Sequence, residues 1–185
     1  MRRLLLLACL LPAACGSLQP FEPDTARLTT AQLGSGFDPD VTAVQFAQWA
    51  FADNGRTAGR PVEAARAAAS MDYIAGQLYT SPRWASISAL TKMQLLDGRV
   101  EVRQALGVVP GTPSQAVVDR LTFVGNALAA GDEAAAISQL GAPVFQPPAQ
   151  EVLARLTNMP YLPKANVSTM RAGNQLFDSS RRDYY

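Results

Sequence analysis

The chain has 185 residues, of which 48% are hydrophobic and 17% are charged, with a formal net charge of +1 and no histidine. This near-neutral charge gives no support to nucleic-acid binding or to a polybasic membrane patch. Without histidine, a Ser-His-Asp triad, a Cys-His nucleophile and an ordinary zinc site are excluded, and we predict no catalytic residue, metal site or cofactor. The length suits one domain with one hydrophobic core.

The first residues of the chain have the layout of a secretory signal. Met1 and two arginines precede an apolar run over residues 4–11, and the small residues Ala13 and Ala14 stand before Cys15. The run of about eight apolar residues is far shorter than the ~20 that a membrane-spanning helix needs. The sequence therefore predicts that residues 1–14 are a signal peptide.

The end of this signal resembles the lipobox of bacterial lipoproteins, which reads Leu-Ala-Gly/Ala-Cys. In the matching residues 12–15, two alanines and Cys15 fit the pattern, whereas Pro12 stands where a leucine is usual. The resemblance implies that Cys15 is lipidated and anchors the chain in a membrane. Gly16 is not the aspartate linked to inner-membrane retention, so the resemblance implies the periplasmic face of the bacterial outer membrane. Ordinary cleavage after Ala14, leaving a soluble periplasmic protein, is the alternative.

Residues 15–38 are predicted to be the lipidated N-terminus and a flexible tether, because glycine, proline and small polar residues are frequent there. Cys9 lies within the signal, so Cys15 would be the one thiol of the mature chain and no internal disulfide is expected. Residues 39–178 are predicted to be a helical domain, and residues 179–185 a polar tail.

Helix starts are indicated where a capping residue or a proline precedes apolar residues at helical spacing. Six or seven helices with short links predict an all-α fold, either an antiparallel bundle or an array of helical hairpins. The predicted starts are Asp38-Pro39, Pro61, Ser81-Pro82, Thr112-Pro113, Asp132, Pro147-Pro148 and a last one near Lys164.

The stretch 92–104 admits two interpretations. Asp97-Gly98 between alternating apolar residues fits the turn of a β-hairpin, but the chain offers no other convincing strand for it to join. A helix that passes through Gly98 and stops at Gly107 needs one tolerated glycine, at about 1 kcal/mol. We favour the helix, with Leu90 and Met93 on the apolar side that also carries Trp84.

One segment, residues 125–137, resembles a tetratricopeptide hairpin in its small residues and its Gly131-Asp132 turn. It is about one residue short in the turn, and a single copy is visible where such arrays need about three. A generic alanine-rich helical hairpin explains the same pattern, so the resemblance implies a shape and no function.

Three sets of residues are candidates for binding. Arg56 and Arg60 precede the helix that opens at Pro61 and are a possible anion contact. The proline-bracketed Met159, Tyr161 and Leu162 are a possible partner contact, with the alternative that this connector packs its apolar residues inward. The third set consists of aromatic residues, which are expected either in the core or around an apolar ligand cavity. Its members are Trp49, Phe51, Tyr73, Tyr79 and Trp84.

The signal and the missing catalytic inventory predict a membrane-anchored periplasmic lipoprotein. We expect it to act as a non-enzymatic scaffold or adaptor for a protein partner in the cell envelope. The alternative is a periplasmic carrier that binds an apolar or anionic small ligand within the helical bundle. A hydrolase that uses two carboxylates about 5–10 Å apart in a cleft is a third possibility.

Overall fold

The computed structural model describes residues 23–28 and 38–182, with side chains described as far as residue 176. The predicted all-α fold is confirmed: these residues form seven α-helices and two short 3₁₀ turns, and their one β feature is an isolated bridge between Val108 and Phe145. The helices are α1 (Pro39–Phe51), α2 (Pro61–Thr80), α3 (Ala89–Leu106), α4 (Ser114–Ala129), α5 (Glu133–Gln139), α6 (Ala149–Thr157) and α7 (Pro163–Arg182).

Helix α2 lies at the centre of the bundle and packs against α1, α3, α4 and α6. Thirteen of its 20 residues are buried, and six of the 20 are alanines, whose small side chains let several neighbouring helices approach one axis. Helix α7 covers the other side of α1 and α3, and α5 folds back on α4. The core is therefore one continuous cluster around α2.

The stretch 92–104 is helical, as favoured, and the hairpin alternative is wrong. Helix α3 ends at Gly107, whose positive φ of 74° lets its N–H bond to the last turn of the helix. The predicted start at Ser81-Pro82 is corrected: a 3₁₀ turn over Pro82–Trp84 intervenes, and α3 begins only at Ala89. Ser88 caps that start, its Oγ accepting from the N–H of Thr91 at 3.2 Å.

The predicted flexible tether is corrected for residues 23–28, which pack against the helical body. Ala26 and Leu28 are buried. The side chain of Gln115 on α4 bonds to both backbone groups of Arg27, accepting from its N–H at 2.7 Å and donating to its carbonyl at 3.2 Å. Burial and paired backbone groups hold this segment, which we call the N-terminal strap.

The strap approaches α2 so closely that a side chain is excluded there. A Cβ added to Gly76 would lie 2.5 Å from the carbonyl oxygen of Asp24 and 3.0 Å from the Cα of Thr25. Glycine at this position thus permits the contact. At the other end of the chain, α7 continues to Arg182, beyond the predicted boundary at 178. The predicted signal 1–14 and Cys15 lie outside the described residues.

Candidate functional site

The outer face of α3 carries large apolar side chains that no part of the described chain covers. Leu90 is 62% exposed, and Met93 and Val100 are each 50% exposed. With Asp97 between them, they recur at intervals of three, four and three residues, which places them in one line along the helix. We call Leu90, Met93, Asp97 and Val100 the outer seam.

The seam exists because α3 is apolar on two sides. Leu95, Val102 and Leu106 on the opposite side are buried in the core. Burial of these residues fixes the rotation of α3, so the second apolar line has to face outward. Grouped exposed apolar residues of this kind mark interaction surfaces more often than isolated ones do.

A groove between α3 and α7 runs beside the seam. Its lining comprises Gln94, Asp97, Pro163, Lys164 and Val167, and Val167 is itself 41% exposed. The groove therefore adds two apolar side chains from α7, those of Pro163 and Val167, and a second charge, that of Lys164.

Hydrogen bonds between α3 and α7 hold the two helices in register. The Arg171 guanidinium donates to Oε1 of Gln94 at 2.7 Å. Farther along, Oε2 of Glu101 accepts from the backbone N–H groups of Lys164 and Ala165, each at 2.9 Å. The N–H groups in the first turn of a helix lack intrahelical partners, so this carboxylate caps α7 from the neighbouring helix. The surface formed by the two helices is consequently preorganised.

The predicted partner contact at Met159, Tyr161 and Leu162 is divided by the structure. Met159 and Leu162 are buried in the core, and Tyr161 is 51% exposed. Two of the three residues thus pack inward, as the alternative for this connector describes. Leu90 and Met93, which the sequence analysis placed on the side of the buried Trp84, instead face solvent.

The predicted anion contact has only one arginine turned toward solvent. Arg56 donates to the carbonyl oxygen of Trp49 at 2.8 Å, and its guanidinium lies 5.7 Å from the centre of the Trp49 ring. It thus interacts with the end of α1 and not with the start of α2. Arg60 is exposed and immediately precedes Pro61, the first residue of α2.

Three of the five aromatic candidates lie in the core, whereas Tyr79 is partly buried against it and Trp49 is 38% exposed. Phe51, Tyr73 and Trp84 are buried. The carboxylate of Asp40, also buried, accepts from the Tyr73 hydroxyl and from Nε1 of Trp84, the latter at 2.7 Å. Burial, together with this neighbouring carboxylate, raises the pKa of the Tyr73 hydroxyl. The aromatic residues therefore hold α1, α2 and the 3₁₀ turn together.

Asp38 lies near Asp40, the carboxylate that binds Tyr73 and Trp84, and the two aspartates share one arginine. Arg83 makes ion pairs with both, at 3.6 Å for Asp40. Burial works to raise the pKa of Asp38, but hydrogen bonds from Arg83 and Val41, with the charge of Arg83, bring that pKa below 3.8. A general acid near neutral pH needs a raised pKa. The arrangement is that of a cap and a structural ion pair.

Within the described part of the chain, no helix is long and apolar enough to cross a membrane. Residues 23–28 and 38–182 also contain no group of three or more acidic, cysteine or histidine side chains placed to hold a metal ion. In comparisons with known proteins, no family model, no curated protein and no solved structure matches this chain. The outer seam and its groove are the candidate site that the exposed apolar residues of α3 define.

Proposed function

We propose that this chain is a lipoprotein anchored through Cys15 at the periplasmic face of the bacterial outer membrane, and that it is a non-enzymatic adaptor. Its outer seam binds an amphipathic helix of a protein partner in the cell envelope. The observation that supports this function is the exposed line of Leu90, Met93 and Val100 on a helix whose other side is already buried.

The spacing of the seam favours a helix as its occupant. Side chains at alternating intervals of three and four residues fit the surface of a second helix, as in coiled coils. Asp97 and Lys164 put charges of both signs beside this apolar line. One polar position in an apolar seam fixes the register of a partner helix, so the partner should carry a polar residue opposite Asp97.

The N-terminal strap bears on where the partner is found. Only seven residues, 16–22, separate Cys15 from the strap, which begins at Pro23. At ~3.5 Å per residue this stretch reaches at most about 28 Å. A lipid on Cys15 would keep the helical domain close to the membrane surface, so we propose a partner that is itself in or next to that membrane.

The anchor is tested by replacing Cys15 with serine. Cys15→Ser should abolish fatty-acid labelling and move the protein from the membrane to the soluble fraction, because acyl chains contribute about 0.8 kcal/mol per buried methylene. Cys9→Ser is the matched control, and both labelling and fractionation should be unchanged in it. An unmodified thiol at residue 15 in the intact mass of natively produced protein would contradict the proposal.

The seam is tested by photo-crosslinking in cells. A crosslinker at Met93 should capture a partner protein, whereas one at Phe123, which is 48% exposed on α4, should not. Leu90→Gln combined with Val100→Gln should reduce capture at least tenfold, since buried apolar contacts at an interface centre contribute more than ~1 kcal/mol each. The free energy of unfolding should change by less than about 0.5 kcal/mol per exposed substitution.

Two results would argue against this function. Equal capture of the same proteins from Met93 and Phe123 would show that the seam has no special role. Crosslinks that join only two copies of this chain would replace the partner helix with self-association. Both outcomes are independent of the Cys15 experiment, so anchoring and docking can fail separately.

A further inference from the structure

A second site lies on the opposite side of α2, where the N-terminal strap meets α1 and α4. There the structure contains a cavity of about 90 Å³ that opens to solvent. Most of its surface is apolar, with hydroxyl groups from three helices and one cation. Its lining consists of Leu28, Thr42, Phe46, Arg66, Ala69, Ser70 and Thr122.

Ser70 forms the floor of this cavity and is unusual in the described part of the chain. It is 1% exposed, and its Oγ has no hydrogen-bond partner. A helical serine commonly bonds to the carbonyl four residues earlier, which Ser70 does not do. An unsatisfied buried hydroxyl is destabilising, so a polar group that reaches Ser70 through the cavity would gain a hydrogen bond that the protein alone leaves unmade.

Arg66 provides the charge at the mouth of the cavity. It lies four residues before Ser70 on α2, so the two side chains share one face of the helix. Its guanidinium is exposed, and its NH2 approaches Oδ1 of Asn126 at 3.4 Å, a long distance for a hydrogen bond. No carboxylate is among the lining residues. The guanidinium is therefore available to an incoming anion.

The size of the cavity limits what can enter. A cavity of about 150 Å³ holds benzene, so about 90 Å³ accommodates three or four heavy atoms, and a charged head group must stay at the mouth. Phe46, Leu28 and Ala69 provide apolar contacts for a short carbon chain. The Ser70 hydroxyl, with those of Thr42 and Thr122, supplies hydrogen bonds to an oxygen within the cavity.

From these features we infer that the cavity binds a short hydroxycarboxylic acid. Its carboxylate pairs with Arg66 at the mouth, its carbon chain packs on Phe46, and its hydroxyl bonds to Ser70 at the floor. This goes beyond the proposed adaptor function, because the cavity and the outer seam share no residue. For a ligand of about seven heavy atoms, affinity in the millimolar range is expected.

The test compares three probes of equal chain length on the purified full chain by ligand-detected saturation-transfer NMR. The two groups to be recognised are a carboxylate and a hydroxyl. The first probe, 4-hydroxybutyrate, carries both groups. Butyrate lacks the hydroxyl, and 1,4-butanediol lacks the carboxylate. We expect 4-hydroxybutyrate to bind at least fivefold more tightly than either of the others. Arg66→Met should abolish its advantage over butanediol, and Ser70→Ala should abolish its advantage over butyrate.

Two further measurements separate binding from folding. Ser70→Ala should raise the melting temperature of the ligand-free protein, because it removes an unsatisfied buried hydroxyl, while it weakens binding. Arg171→Met and Ser138→Ala are the matched controls, since both side chains bond elsewhere, and neither should alter any affinity. Equal binding of all three probes, no saturable binding, or a water molecule alone on Ser70 in a crystal soaked with 4-hydroxybutyrate would overturn the inference.

Discussion

Replacing Arg103 with methionine is expected to destabilise the protein by about 3–5 kcal/mol. Arg103 on α3 makes a two-pronged ion pair with Asp72 on α2, from Nε to Oδ2 at 2.6 Å and from NH2 to Oδ1 at 2.7 Å. The Asp72 side chain is 2% exposed. Without Arg103 the buried Asp72 carboxylate would lose the partner that donates two hydrogen bonds to it, and Arg99 would be the remaining nearby cation. Removing one member of a buried ion pair in this way is strongly destabilising.

Arg103 also links the N-terminal strap to the core. It donates to the carbonyl of Thr112 at 2.8 Å and to Oγ of Ser114 at 2.9 Å. The backbone N–H of Ser114 in turn donates to the carboxylate of Asp24 in the strap. Loss of Arg103 should therefore also loosen residues 23–28, and limited proteolysis should cut there first.

Neighbouring Arg99 belongs to the same group of charges. It donates to the carbonyl of Asp24 at 2.8 Å and to Oγ of Ser114 at 3.1 Å. Burial lowers the pKa of Arg99, and the positive charge of Arg103 acts in the same direction. The two arginines share one acceptor, Oγ of Ser114, so the energetic effects of substituting both should not be additive.

Urea unfolding of the full chain would measure the effect of Arg103→Met. Arg155→Met is the matched control: Arg155 contacts Glu151 at 2.7 Å, but these side chains are 37% and 50% exposed, so at most about 1 kcal/mol should be lost. Asp72→Leu with Arg103→Met should recover much of the stability, because the buried carboxylate is removed together with its hydrogen-bonded partner. If Arg103→Met and Arg155→Met lowered the free energy of unfolding equally, the claim that burial strengthens the contribution of the Asp72–Arg103 pair would be wrong.

Local signals in the sequence predict most of the helix starts, although not the start of α3. Asp38 caps α1 as predicted, its Oδ1 accepting from the N–H groups of Asp40 and Val41. Asp132 likewise caps α5 through the N–H of Ala135 at 2.9 Å. These interactions join residues two or three positions apart, so the residue types alone reveal them.

The contacts that were missed join residues far apart in the chain. Ser114 and Asp24 are 90 positions apart, and Asp72 and Arg103 are 31 apart. No periodicity connects such residues, so the strap was interpreted as a tether. The sequence analysis did not identify the outer seam, because the spacing of apolar residues does not say which apolar line of α3 faces the core. The packing of α7 and α2 decides that.

The sequence analysis correctly places Gly98 within a helix, but it does not show why a glycine is needed there. In the sequence it is a glycine that a helix tolerates at about 1 kcal/mol. In the structure it lies where α3 crosses α7 and α2. A Cβ added there would clash with Cε of Met71, and would lie 2.8 Å from Oγ of Ser168 and 3.1 Å from Cα of Ala165. The missing side chain is what allows the helices to approach.

Gly98→Leu should therefore destabilise the protein by about 4 kcal/mol or more, although leucine favours helix formation more than glycine does. Gly98→Ala should cost about 1–3 kcal/mol, because the end of Met71 can move whereas the backbone of α7 cannot. Met71→Val, which removes Cε, should recover part of the loss in Gly98→Ala but not in Gly98→Leu. Gln104→Ala, on the exposed side of α3, is the control for helix propensity and should be neutral or stabilising.

Urea unfolding followed by circular dichroism would measure the single variants and the two double variants that combine Met71→Val with a substitution at Gly98. If alanine at residue 98 stabilised the protein by the ~1 kcal/mol expected from helix propensity, the close crossing of α3 and α7 would be wrong. That result would also weaken the proposed function. The outer seam faces solvent only because α3 sits tightly on α7 with its other side buried, so a looser crossing would leave its orientation undefined. The free energies of unfolding of the Gly98 variants and the capture of a partner from Met93 therefore both test the same packing of α3 on α7.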